Sequence, residues 1–162
     1  MKKTLLLMGL LFLIVGCNSE KSEKMPTRFQ SVDVSQAEIL QDGKEKSACH
    51  VCGMNLPMFY KTNHSATVDG KIEQFCSIHC LANTLKQGKK VEDIKVVNNE
   101  DLKFISAKDA WYVVGSSKSG TMSKISKYAF AHKEKAEAFA KDFGGKVMNF
   151  DSALAEAKKE LK

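Results

Sequence analysis

Four cysteines, Cys49, Cys52, Cys76 and Cys80, hold most of the chemistry open to this chain. They come as a CxxC pair and a CxxxC pair, a short distance apart. Two thiols spaced CxxC can chelate one ion in a tight turn, and Gly53 supplies the backbone freedom such a turn needs. A helix starting at Ser77 would turn Cys76 and Cys80 towards each other, roughly opposite the apolar stripe Ile78/Leu81/Leu85 and away from the core. Its N-terminus would also favour thiolate. All four together read as a closed tetrathiolate set, the usual arrangement for structural zinc. Met54 and Met58 lie beside the first pair, and thioether plus thiolate is a soft donor set that favours copper(I). The competing reading is a disulfide framework or a redox CxxC. His79, next to Cys80, is a further candidate ligand, and His50 is either ligand or spacer. His64 reads as a hairpin-surface residue and His132 as a surface residue before a helix. Met122, in Gly120-Thr121-Met122, reads by itself as a loop packing residue. No Ser/His/Asp set and no phosphate-cradling glycine loop is found, so enzyme chemistry is not expected.

These residues need elements to position them. Runs at 62–68 and 71–75 flank Asp69-Gly70, a strong hairpin signal. Ile78, Leu81, Ala82 and Leu85 fall at i, i+3, i+4, i+7 and predict a helix over 77–87, stopped by Gly88, with a strand near 93–97 after it. The second half repeats the plan. Strands are expected at 110–115 and 127–131, around a Ser/Lys/Gly-rich loop at 116–126. A helix follows at 133–143 with the stripe Ala136, Phe139, Ala140 and Phe143. Then come a strand at 146–150 and a last helix capped by Asp151, carrying Leu154, Ala157 and Leu161. The chain is therefore expected to be α+β, two tandem β-β-α-β units with halves at about 47–100 and 101–162.

The N-terminus speaks to compartment. Lys2 and Lys3 precede an apolar run, 5–15, too short to span a bilayer comfortably but suited to a signal peptide. It ends in Ile14-Val15-Gly16-Cys17, which resembles the bacterial lipobox; residues 1–16 would be removed and Cys17 lipidated. Residues 17–46, polar and without sustained periodicity, read as a flexible tether. The formal charge of +6 loses only Lys2 and Lys3 on cleavage, leaving a mild +4. Lysines and glutamates are dispersed, which argues against a nucleic-acid partner.

The Cys-His-Val-Cys-Gly-Met block at 49–54 resembles the signature of NosL-type lipoproteins, copper-binding accessory proteins of nitrous oxide reductase. The resemblance continues through Asp69-Gly70, Phe75-Cys76-Ser77, the stretch Ala110 to Ser116, Gly120-Thr121-Met122, Ala129-Phe130-Ala131 and Gly144-Gly145-Lys146-Val147. It implies a fold like that of organomercurial lyases. It also implies a periplasmic, lipid-anchored metallochaperone that carries copper(I) to nitrous oxide reductase in denitrification. By position, Cys52 and Met54 match the Cys-Gly-Met block and Met122 matches the methionine of the second-half loop, which makes Met122 a ligand rather than packing. A His or second Cys would complete the set. One departure is the Phe-Cys-Ser-Ile-His-Cys stretch at 75–80, which is similar to small treble-clef-like domains. The candidate metal residues are thus Cys49, Cys52, Met54, Cys76, His79, Cys80 and Met122, with zinc as the alternative ion. Asn18, in place of an Asp, leans towards an outer-membrane anchor, and a homodimer remains open.

Overall fold

The computed structural model describes residues 28–161. The expected signal peptide, Cys17 and the part of the expected tether up to residue 27 lie outside the described residues. The elements run β1 (His64–Val68), β2 (Lys71–Phe75), α1 (Ile78–Lys86), β3 (Val91–Val97), β4 (Phe104–Ser106), β5 (Trp111–Val114), β6 (Lys127–Phe130), α2 (Lys133–Phe143), β7 (Lys146–Asn149) and α3 (Phe150–Lys159). Short 3-10 turns at Val34–Gln36, Pro57–Thr62 and Ala107–Asp109 join them.

Two antiparallel sheets result, ordered β2-β1-β3-β4 and β6-β5-β7. Each is the same device: a central first strand, its hairpin partner on one side, and the strand that follows the helix on the other. The expected pair of β-β-α-β units is therefore present, extended by β4 in the first half and α3 in the second. The hairpin β1–β2 turns on Asp69 and Gly70, both at positive φ (49° and 84°), the backbone a two-residue turn between twisted strands requires. Gly145 has a comparable duty. A Cβ there would lie 2.9 Å from both Val113 Cγ1 and the Val114 carbonyl, so its absence lets the chain enter β7 close against β5.

Helix α1 buries Ile78, Leu81 and Ala82, as the stripe requires, and packs on α3 of the other half. The main core joins both halves through Phe75, Leu81, Val96, Tyr112, Phe150 and Ala153. A second cluster under α2 contains Val113, Tyr128 and Phe130 with Phe29 and Phe139 against them.

Three expectations need correction. The last helix is capped by Asn149, whose Oδ1 accepts from Ser152 N at 3.0 Å, so it begins two residues before the place where Asp151 would cap it. Residues 28–46 pack on the domain instead of hanging free. Gln30, Val32 and Gln41 are buried, and Gln41 bonds to the carbonyls of Lys46 and Ala48 and to the Gln74 amide. That segment lacks periodicity because it is held by side-chain amides and one aromatic ring, not by a repeating face. His64 is not at the hairpin surface but fully enclosed between the halves.

Candidate metal centre

The first thiol pair sits in a knuckle. Cys49 N–H donates to Met54 O (2.8 Å) and Gly53 N–H to Cys49 O (2.9 Å), with Gly53 at φ +72° to close the turn. His50 N–H donates to Gln74 O (3.1 Å), which lays the knuckle on β2. The second pair follows from the exit of β2: Cys76 ends the extended run and Cys80 lies in the first turn of α1. Ser77 is the N-cap residue, though its hydroxyl makes no capping bond.

The four Sγ atoms lie within 4.8 Å of one another. Cys52 and Cys76 are 3.5 Å apart, and Cys76–Cys80 and Cys52–Cys80 are both 3.7 Å. Met54 Sδ is 4.0 Å from Cys76 Sγ. A tetrahedral ion with metal–sulfur bonds of about 2.3 Å has sulfur–sulfur edges of about 3.8 Å, which the Cys52, Cys76 and Cys80 sulfurs already match. All four are free thiols. Cys49, Cys76 and Cys80 are buried and Cys52 is partly exposed. The two helix-side thiols therefore do face each other, but under the knuckle and inside the core, not out to solvent as the helix geometry alone suggested.

Packed sulfurs share protons. S–H donation from Cys76 and Cys80 pushes the Cys49 thiol far down, against the cost of burial. The same bonds, and then burial, push Cys76 up. Cys80 is raised chiefly by its bond to Cys49. One thiolate is thus favoured over several, because a second negative charge would lie buried beside the first.

Met122 lies on the β5–β6 loop, 44% exposed, in the left-handed region at φ +59°. The residue before it, Thr121, is buried, and its Oγ1 is 2.9 Å from Thr62 Oγ1, which in turn reaches Cys76 O at 2.7 Å. His79 is not one of the converging side chains. It lines a cavity of about 10 Å³ with Thr62, Ser77, Thr121 and Lys127, and its Nδ1 is buried without a hydrogen-bond partner. It therefore belongs to the seam between α1 and the Met122 loop. Lys127, also buried there, is satisfied by Glu160, Ser123 Oγ and Ile125 O. His50 pairs outside with Glu73 at 3.1 Å. His132 is the exposed residue before α2, and its Nδ1 lies 2.9 Å from a Glu100 carboxylate oxygen. Thr62 and Thr121 went unread in the sequence, because hydroxyls that meet across a seam leave no local pattern.

Two β-β-α-β units, with a sulfur cluster built on the first and a methionine-bearing loop on the second, define a small α+β domain with a soft donor site. The chain matches the NosL family model over residues 41–157 and belongs to that family. The copper-binding lipoprotein NosL of Stutzerimonas stutzeri is 28% identical over 162 aligned residues, which cover 91% of this chain and 77% of that protein. The crystal structure of the copper chaperone NosL from Shewanella denitrificans superposes with a TM-score of 0.55 at 30% identity, covering 68% of this chain and 93% of that one. The HTH-type transcriptional repressor CutR of Bacillus subtilis (strain 168) is 32% identical over 99 residues, 59% of this chain and 51% of the repressor.

Proposed function

We propose that this chain is a copper(I) carrier of the cell envelope, anchored by lipid on Cys17, that delivers its cargo to nitrous oxide reductase. The observation that carries the reading is the cluster of four free thiols within 4.8 Å of one another, with a thioether 4.0 Å from one of them. Such a soft set holds copper(I) at low coordination number and leaves a side open for a partner's ligands. Cys52, the partly exposed thiol, is the place where a partner's sulfur can reach the cargo. Met54 supplies the near thioether. Met122, on the second-half loop, is a further ligand in this reading, while His79 lines the seam beside that loop. Carriage rather than turnover is the role, in keeping with relatives named as chaperone and copper-binding lipoprotein. The anchor places the domain on the periplasmic face of the envelope, with the outer membrane favoured by Asn18, and a homodimer is one route to presenting the open side.

One observation favours a second reading: four thiols at near-tetrahedral spacing are also a zinc site. The test is a copper(I) titration of the reduced, oxygen-free protein lacking residues 1–17, against a chelator of known affinity, with zinc counted in the same sample. One tightly held copper per chain or per dimer, with little zinc, is expected. Zinc on all four thiols, with copper(I) bound no better than by loose cysteines, would replace the carrier by a zinc-stabilised module.

A further inference from the structure

The two halves of the candidate site belong to different sheets, and their relative placement has to be held by something. Thr62, at the end of the turn before β1, and Thr121, in the β5–β6 loop, are both buried, at 3% and 5% exposure. Thr62 Oγ1 is 2.7 Å from Cys76 O, 3.0 Å from Phe59 O and 2.9 Å from Thr121 Oγ1. The Thr62 hydroxyl has one proton to share among these three oxygens, and towards Thr121 it stands as donor. Thr62 thus links the residue before Met122 to the backbone of a central thiol.

We propose that Thr62 and Thr121 form a positioning pair that sets Met122 against the thiol cluster. The inference rests on Met122 being a ligand in the reading above. Other groups fix the far side of the loop. Gln30 Nε2 donates to Ser119 O (2.8 Å) and reaches Gly120 O (3.3 Å), and Tyr128 O–H donates to Ser119 O (2.7 Å). Gly120 has no room for a side chain, since a Cβ would sit 2.3 Å from Ser123 O. Met122 follows in a left-handed conformation that a non-glycine residue keeps only when its neighbours over-determine it. The ties at Ser119, Gly120 and Thr121 do that, and the one that leads to the backbone of Cys76 is Thr121.

A pair that merely glued the halves would cost stability and nothing specific to Met122. The experiment is a double-mutant cycle on the full chain, reduced and oxygen-free, reading copper(I) affinity by chelator competition and thermal midpoint in parallel. Thr121→Val keeps the shape and removes the hydroxyl that meets Thr62. It is expected to weaken copper(I) binding about tenfold when Met122 is present, with no further loss in a Met122→Ala background, and Thr121→Ser should restore the affinity. Equal loss in both backgrounds, or no loss with Met122 present, overturns the positioning role while leaving Met122 as ligand. If Met122→Ala alone leaves affinity unchanged, the underlying ligand reading fails and the inference goes with it. Should Thr121→Val not fold, Thr121→Ala enters the same cycle. A second readout is the methyl resonance of Met122 in methionine-labelled protein. It should shift on adding copper(I) to the parent and to Thr121→Ser, and stay in place in Thr121→Val; a full shift in Thr121→Val counts against the pair.

Discussion

The cysteines act as one group because their sulfurs already touch. Changing Cys52, the exposed corner, removes a ligand without opening the buried core, so Cys52→Ser is expected to abolish tight copper(I) binding while the thermal midpoint stays within a few degrees. Unchanged affinity would take Cys52 out of the site. His64 behaves differently. Its Nδ1 lies 3.0 Å from Thr62 O and its Nε2 3.1 Å from Tyr112 O–H. With Nδ1 protonated and donating to the carbonyl, Nε2 accepts from the tyrosine, which is the neutral ring. Burial lowers its pKa from 6.5 to about 4. The folded chain therefore resists a proton that the unfolded chain accepts. The stability this contributes is whole above pH 6.5 and is lost as pH falls towards 4, about 3 kcal/mol across that window. A denaturation series from pH 7 to pH 4 should show this slope, and His64→Gln should flatten it. The cysteine pattern was legible in the sequence because ligand spacing is local. The burial of His64 was not, since every residue of β1 is covered except for a partly covered Thr67, and a strand covered on both faces loses the alternation by which an inward residue is recognised.

Helices and hairpins announced themselves through period and through Asp-Gly, and α2 has the predicted limits. What escaped was whatever depends on contact between elements. Strand β4 has three residues and exists by pairing with β3, Val97 opposite Phe104. The loop between β5 and β6 looked featureless in its Ser, Lys and Gly, yet it is tied at Ser119, Gly120 and Thr121. Its shape depends on Gly120. Gly120→Ala pushes a methyl towards the Ser123 carbonyl and forces the loop to move. It should cost about 1–3 kcal/mol by overpacking and weaken copper(I) binding at least as much as Met122→Ala. Full stability together with full affinity would mean the loop yields without consequence.

At the scale of the molecule, the two units share one core and cannot be parted at residue 100. Helix α1 of the first lies on α3 of the second, and Tyr112 of the second stacks on His64 of the first at 22°. The repeat was visible in the sequence, and the length suited halves that share a core. The elements that meet in that core were not visible, because a pattern along the chain says which face is apolar and not which partner covers it. Separation of anchor from site is the prediction here: Cys17→Ala should release the protein from membranes into the soluble fraction with copper(I) affinity unchanged, and loss of affinity would tie the anchor to the fold.

The strip of chain from Phe29 to Val32 fixes one more thing. Phe29 is wedged against Tyr128 and Phe143 with Lys118 over its ring, Gln30 grips the Met122 loop, and Val32 N–H bonds Pro57 O. The chain thus enters the domain beside the methionine, and eleven residues separate that entrance from Cys17. At full stretch they reach about 40 Å. On the proposed lipid anchor at Cys17, that length sets the greatest distance between the bilayer and the edge of the domain that carries the Met122 loop. On that proposal an acceptor in the same membrane would be met over a surface instead of through a volume, and one free in solution only within that reach of the lipid.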